Sequence, residues 1–542
     1  MLSLNVAETF RPYRAPKNDG ESFADPSIDE AGGLLRENLT RLSLDSAEWQ
    51  SLRHEARQQL ISDAVRYTST YRRVELTVNR ETAPIVMAGH QPSLFHPGVW
   101  FKNFALDHIA KANDAIAINL VIDNDAASGS SIRVPTIDEI SGDYTLKNIR
   151  YDRFGGGVPH EQTTISDRAR FDRFDDVVSK AVAPIVDKPI IGPLWKHAKA
   201  SVERCGVAGC ALAQARHALE GDIGLSTLEL PLGVACRGRV FAVFLLKILC
   251  DVDRFQDIYN SQTDLYREAH GIRSHAHPVP NLAREDGWIE APIWIYSDEQ
   301  PQRKAGWIKC EDGELVISNR SGLSHRFKFG PDHPCTSDEV ALALADANTN
   351  SFKIRPRALL TTMYARMILS DLFLHGIGGG KYDQLGDRIA EQFFAIRPPQ
   401  FMVVSATIQL PGESPEGLDP AIRVLRRKLR DIDYQPERFA DKAELDEGLI
   451  EEKRRLIRDI PAKGHRREWQ RRMEAINAAL SSQLESVRSE LRYQLALLLR
   501  RRSSLAILKS REHPFCVFNL DRLVDSYRKM LDKKGGNEVG FP

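Results

Sequence analysis

Apolar residues along this chain recur in two rhythms, a three-and-four step typical of helices and short unbroken runs typical of buried strands. The clearest passage is IVMAGHQPSLFHPGVWFKNFALDHIAKANDAIAINLVIDND, residues 85–125. Residues 85–88 are an apolar run that stops at Gly89. Pro97 is pre-set for the first turn of a helix, with His96 or Ser93 just before it. Phe101, Phe104, Ala105, His108 and Ile109 follow at helical spacing, and residues 115–122 form a second buried run. This order predicts a βαβ unit. Such a unit puts the first turn and the helix N-terminus at the carboxyl edge of a parallel sheet, where ligands bind and backbone N–H groups attract anions.

The flanking patterns differ. Residues 1–75 read as a polar arm followed by helices, in LLRENLTRL and AEWQSLRHEARQQLISDAVRYTSTYRR. A hairpin is predicted around SIRVPTIDEISGDYTLKNIRYDRF, closing a segment 76–155. Residues 156–345 begin mainly helical, and VFAVFLLKILCDV, apolar all round, is expected to be buried. From Gly287 to Phe329 the pattern turns to short strands: WIEAPIWIY, AGWIKC, GELVISNR and SHRFKFG. Within residues 346–419, Ile354 to Leu374 reads as one long apolar helix ending near His375, and FMVVSATIQL as a buried strand. Residues 420–542 are rich in Leu, Arg, Glu and Lys at helical period, interrupted near Pro461 and Gly464. That predicts two long helices folding back as an antiparallel arm, with a tail. The class is α/β.

Composition narrows the partners. With 542 residues, more than one domain is expected. Lys plus Arg and Asp plus Glu are 74 each, so bulk charge points to neither nucleic acid nor membrane. The arginine-rich stretches of the tail, including Arg500, Arg501 and Arg502, read as the solvated face of a helical arm that mediates homodimerisation. No run approaches the ~20 apolar residues of a membrane helix. The start, MLSLNVAETFRPYRAP, lacks the layout of a secretory signal. Seven cysteines without regular spacing point to reduced thiols and a cytoplasmic protein.

Two polar constellations suggest chemistry. The first turn of the βαβ unit has His90, Gln91 and His96, with Lys102 in the following helix, and the second strand runs out into Asp123, Asn124 and Asp125. Two histidines, a lysine, an amide and two carboxylates are expected around one sheet edge, although a solvated structural turn is the simpler alternative. The second is FLHGIGGGKYDQLGDRIAEQFF. Gly376, Gly378, Gly379 and Gly380 free the backbone, and Lys381, Tyr382 and Asp383 open a helix, a pattern suited to clamping phosphate. It is not a Walker A sequence. A helix C-cap with a flexible connector is the alternative. His270, His275 and His277 have no matching ligand spacing, and Cys205 and Cys210 flank a turn without C-x-x-C spacing, so neither group is placed in the site and no structural metal is expected.

In order along the chain, AGHQPSLFHPGVWFKNFALDHIA, VIDND, IRPRALL, GIGGGKYDQL and FMVVSATIQL resemble the cysteine-adding enzyme family of bacillithiol biosynthesis. Gly89, Gln91, Leu94, Phe95, Gly98 and Lys102 occupy like places. The resemblance covers about half the chain, and its middle and extreme C-terminus are unmatched. It implies a Rossmann-like parallel-sheet core with inserted helical and β segments and a C-terminal antiparallel coiled-coil dimer arm. The implied activity is amide formation between cysteine and the amino group of a glucosamine–malate conjugate, with carboxyl activation by ATP or another nucleotide. The chain departs from the family at His90, which replaces a glutamine, at the shorter glycine loop, and at Asn124 within an acidic cluster that has lost a glutamate and a histidine.

In this reading His90, Gln91, Lys102, Asp123 and Asp125 act on small-molecule substrates. Lys102 and Lys381 neutralise phosphate, His90 orients substrate or exchanges a proton, and Asp123 and Asp125 hold an amine or Mg²⁺. His96, the four glycines, Lys381 and Asp383 bind the nucleotide. Two alternatives stay open: a nucleotidyl transferase of the adenylating Rossmann class, and a non-catalytic coiled-coil scaffold that keeps the fold.

Overall fold

The computed structural model describes residues 10–153, 155–274 and 279–532. The chain forms two compact units. The larger contains Met1–Val134, Asn148–Gln409 and Arg511–Pro542, and the smaller contains Pro135–Lys147 and Leu410–Ser510. This grouping cuts across the five segments expected from the sequence, because the end of the chain belongs to the larger unit.

In chain order the strands are β1 (Glu21–Asp25), β2 (Ile85–His90), β3 (Ile116–Val121), the ribbon of β4 (Ser131–Ile137) and β5 (Tyr144–Arg150), and β6 (Leu228–Pro231). There follow β7 (Arg284–Glu285), β8 (Trp288–Tyr296), β9 (Lys304–Glu311), β10 (Glu314–Ser318) and β11 (Ser324–Lys328). The last are β12 (Lys353–Pro356), β13 (Leu372–His375) and β14 (Phe401–Thr407). One sheet has the order β1-β14-β13-β2-β3-β6, parallel except for β1. The other, β11-β10-β9-β8-β12 with β7 on β8, is antiparallel. The protein is therefore mixed α/β.

The unbroken apolar runs of β2 and β3 follow from burial on both faces. Ile85, Met87, Ile116, Ile118 and Leu120 share one apolar cluster with Phe244 and Leu245 of the Arg239–Leu249 helix and Leu385 and Ile389 of the Ile377–Phe394 helix. The Pro97–Ala112 helix also packs on β2, β3 and β14. His96 is its N-cap: the imidazole Nδ1 accepts the Gly98 N–H at 3.1 Å, and Pro97 takes the first helical position. The Leu520–Leu531 helix packs on the same helix, with the Tyr527 hydroxyl donating to the Pro97 carbonyl at 2.6 Å.

Several expectations need correction. The polar N-terminal arm contains an edge strand, β1, whose residues are all half-buried and so show no alternation. Residues 354–374 are not one helix. They comprise the end of β12, the Ala358–Tyr364 helix, a wide turn at Ala365–Leu369 and the start of β13. Each of these strands has only four residues, too few to reveal a period. His375 accordingly ends a strand. Gly376 after it is the N-cap of the Ile377–Phe394 helix, and Gly378, Gly379 and Gly380 lie in the first turn of that helix and not in a loop.

The smaller unit has four main helices where two were expected: Asp419–Tyr434, Glu447–Arg458, Arg467–Ser482 and Glu485–Leu508. Leu425, Ile432, Phe439, Leu484 and Leu491 form its apolar core. Cys250 and Cys335 are joined as a disulfide, against the expectation of reduced thiols alone. They are brought together because the Arg239–Leu249 and Asp338–Ala347 helices pack on each other. Among the described residues no helix is long and apolar enough to cross a membrane.

Candidate functional site

In the parallel sheet, β2 leads through the Pro97–Ala112 helix to β3 on one side. Its neighbour β13 leads through the Ile377–Phe394 helix to β14 on the other. The strand order reverses between β2 and β13, and the crevice outside the carboxyl ends at such a reversal is where open α/β sheets bind ligands. Leu372, Phe373 and Leu374 pair with Val86, Met87 and Ala88, so the turns after His90 and His375 leave the sheet side by side. A Cβ on Gly89 would sit 3.3 Å from the Phe373 ring, a measure of how closely these two strands approach.

The side of the crevice next to β3 is dense with charge. Gln91 Nε2 donates to Asp125 at 2.7 Å, and Arg303 donates to the same carboxylate at 3.0 Å. Asp123, partly exposed, accepts the Gly233 N–H at 3.0 Å. Burial, followed by the negative charge of Glu161, pushes the Asp123 carboxyl up to about 7. Glu161 is held low despite its own burial by Arg355 and Lys353. Arg355 donates to its two oxygens at 3.2 and 3.3 Å, and the Tyr296 hydroxyl also donates to it. Lys353 bonds Asp298 at 2.7 Å. The backbone locks this corner, with the His160 and Glu161 N–H groups each donating at 2.9 Å to the carbonyls of Asp125 and Asp123. Asn124 is structural: its amide donates to the Pro356 carbonyl at 2.7 Å, tying the end of β3 to the end of β12.

Four carboxylates (Asp123, Asp125, Glu161, Asp298) thus face three permanent cations (Arg303, Lys353, Arg355). His160 adds no charge near neutrality, since burial takes its imidazole down to about 4. An uncompensated negative charge remains at Asp123, which suits an incoming cation. Among the described residues no three His, Cys, Asp or Glu side chains converge as a metal site. Asp125 has both oxygens engaged, so this pair of aspartates does not fit a resident Mg²⁺.

Beneath the first turn the histidine and lysine are buried. Lys102 Nζ donates to the Gly89 carbonyl at 2.5 Å, and burial with the nearby Arg216 brings its ammonium down to about 7. His90 packs its ring 5.0 Å from that of Phe95. Burial, then Arg216 and Lys102, hold the imidazole well below its ordinary value, so it is neutral near pH 7 and does not serve as a base poised there. Its Nε2 has no protein partner among the described residues. Arg216 is ion-paired with Glu220 and Glu229 in a fully buried network that also receives the indole N–H of Trp100 at 2.8 Å.

On the β13 side two of the four glycines serve packing. A Cβ on Gly380 would lie 2.3 Å from the Val403 methyl, and one on Gly379 would lie 2.8 Å from His375 Nδ1. Gly376 and Gly378 have nothing within 4 Å. Asp383 is buried and committed: Arg366 donates to it at 2.5 Å and His375 at 2.8 Å, and Thr362 also bonds it. Arg366 and His375 hold its carboxyl far below the usual range. It is therefore not available to a nucleotide. Lys381 is half-buried in the same first turn.

His96 borders a further cation. Arg511 donates to Ser405 Oγ at 3.0 Å and to the Ala406 carbonyl at 3.3 Å, and its Nη2 would lie 2.7 Å from a Cβ at Gly98. Burial, then Arg511, takes His96 down to about 4. Sequence reasoning placed Gln91, Asp123 and Asp125 in this crevice and missed Glu161, Tyr296, Arg303, Lys353, Arg355 and Arg511. Arg355 lay within the IRPRALL segment, the one available signal. His275 and His277 lie outside the described residues. No family model matches the chain, and no curated protein matches it.

Proposed function

We propose that the protein is a ligase-type enzyme built on a Rossmann-like core. It joins cysteine, or another small amino or carboxyl compound, to an amine acceptor with ATP or a related nucleotide. The observation that carries this reading is the corner at Asp123, where a carboxyl pushed up to about 7 by burial and by Glu161 lies beside the strand-order reversal and lacks a cation of its own. A protonated amine supplies the missing positive charge. Ionised Asp123 first takes one proton from the ammonium group, which frees the nitrogen lone pair to attack the activated acyl carbon. The new N–C bond replaces the C–O bond to the phosphate, and the second proton leaves nitrogen with the departing phosphate. Glu161, fixed by Arg355 and Tyr296, keeps the local charge negative and so keeps Asp123 basic.

The phosphates are assigned to the start of the Pro97–Ala112 helix, with Arg511 as the cation near it. Mg²⁺, when it takes part, comes with the nucleotide. Neutral His90 serves as a hydrogen-bonding group for substrate. We read the four helices of the smaller unit as an antiparallel coiled-coil arm that forms a homodimer, which sedimentation of the full chain measures. A nucleotidyl transferase would share the phosphate crevice but would have no use for an amine pocket, and a scaffold would bind no nucleotide.

The test is incubation with ATP, cysteine and a panel of amino-sugar and amino-acid acceptors, read by mass spectrometry. A ligated product with nucleotide consumption is expected. Neither product nor consumption across the panel rejects the ligase reading.

A further inference from the structure

In the smaller unit the Asp419–Tyr434 helix packs against the Glu485–Leu508 helix, and a groove of about 480 Å³ runs along their outer side. Ala421, Val424 and Leu425 line one wall, and Gln494, Leu497 and Leu498 the other. Both walls repeat the same three-and-four step, so the groove follows the helices. Leu425 belongs to the apolar core of the arm and Leu498 packs on it, while Val424 and Leu497 at the rim are 52% and 47% exposed.

A line of positive charge borders this groove. Arg423, Arg426, Arg427 and Arg430 follow at i, i+3, i+4 and i+7, which makes one exposed stripe along two turns of the Asp419–Tyr434 helix. At about 100° per residue, Arg427 lies about 60° round the helix axis from Val424. Among the described residues none of the four arginines has an ion pair or a side-chain hydrogen bond. The three acids of the same helix are committed elsewhere: Asp419 to Arg502 at 2.7 Å, Asp431 to Arg438 at 3.4 Å and Asp433 to Arg488 at 2.7 Å. On the helix of the other wall, Arg500 has Asp143 at 2.5 Å. Like charges at these steps destabilise the helix that carries them, and no carboxylate among the described residues offsets them.

We propose that this face of the arm docks an acidic amphipathic helix of a partner protein. The apolar ridge of that helix fills the groove, because both walls offer the spacing that a helix ridge matches. Its glutamates or aspartates, one turn apart along the flank, meet the arginine stripe. The stripe is about 10.5 Å long, so carboxylates over two turns are enough to cover it. Each guanidinium can donate two parallel N–H bonds to one carboxylate, which fixes the register as well as the charge. A phosphate backbone would answer the stripe but leave Val424 and Leu497 in water. A second copy of the chain would set the same arginine-flanked groove against this one, and the homodimer therefore forms through another face of the arm.

The test titrates the full chain into a fluorescein-labelled helical peptide, with leucines on one face and glutamates along its flank, and reads anisotropy. Saturable binding is expected. It should weaken at least tenfold in the double variant Arg423→Glu, Arg427→Glu, and at least tenfold in Val424→Ser. A lysine-flanked peptide should bind the double variant and not the wild type, which also shows that the variant is folded. Absence of binding, or equal binding of glutamine- and glutamate-flanked peptides, would overturn the proposal. So would tighter binding of single-stranded RNA or of phosphatidylserine vesicles than of the peptide. Loss of the dimer when the double variant is sedimented would assign this face to a second copy and overturn it as well.

Discussion

The turns after β13 and β3 both look functional as sequence, yet they are built in opposite ways. After β13 the polar groups are spent on one another: Asp383 is shared by Arg366, His375 and Thr362, and Gly380 exists so that the helix can lie against Val403. After β3 the polar groups are left unbalanced: Asp123 accepts the Gly233 N–H and lies beside both Glu161 and Arg355 in a partly open corner, and burial with Glu161 outweighs Arg355. Density of glycine, lysine and aspartate is therefore a poor guide to chemistry. What distinguishes the two is whether charge is compensated within the fold, because an uncompensated buried charge has a strong energetic claim on an incoming partner.

That contrast can be broken by substitution. Asp383→Ala leaves the buried Arg366 short of one of its carboxylates and is expected to cost about 3–5 kcal/mol of unfolding free energy, measured by denaturant titration. Asp123→Asn is expected to behave inversely. Turnover falls about 10²- to 10⁴-fold while the thermal midpoint stays within a few degrees of wild type. A large loss of stability in the second variant, or of activity alone in the first, would reverse the assignment of the two regions.

The pH profiles sharpen it further. Asp123 ionises near 7 in the folded chain against an ordinary 3.8, so folding favours its protonated form. Its stabilising contribution is complete below the ordinary value and is lost as pH rises through 7. Activity runs the other way, since the ionised form receives the proton. The kcat/KM profile should climb to a plateau above about pH 7, and the Asn variant should lack that limb. The smallest effects are expected at the glycines. Gly380→Ala should cost about 1–3 kcal/mol by overpacking against Val403, and Gly378→Ala should be neutral or stabilising by up to about 1 kcal/mol. Neither should change nucleotide Kd beyond twofold once folded protein is counted, whereas a true phosphate loop would lose affinity at both.

The βαβ unit was legible because its apolar runs are unbroken and Pro97 marks the helix start, with the cap left between His96 and Ser93. β1, β12 and β13 were not, being short strands with no period to read. The glycine-rich helix was misread because four glycines normally disfavour helix, and packing against Val403 and Tyr13 accounts for Gly380 and the approach of His375 for Gly379. At the site, Asp123 and Asp125 could be placed because they end a recognisable strand. Glu161, Tyr296 and Arg355 could not. They come from distant parts of the chain, and only the meeting of the second sheet with the edge of the first brings them together. The depressed imidazole of His90 was equally hidden, since it depends on burial and then on Arg216, far away in sequence and close in the fold.

The most direct test of the account is calorimetric titration of glucosamine, a primary-amine probe, into the wild-type chain and Asp123→Asn at pH 8, where Asp123 is ionised. Binding to wild type and at least tenfold weaker binding to the variant are predicted. Equal affinity for both would contradict the assignment of Asp123 as the seat of the amine.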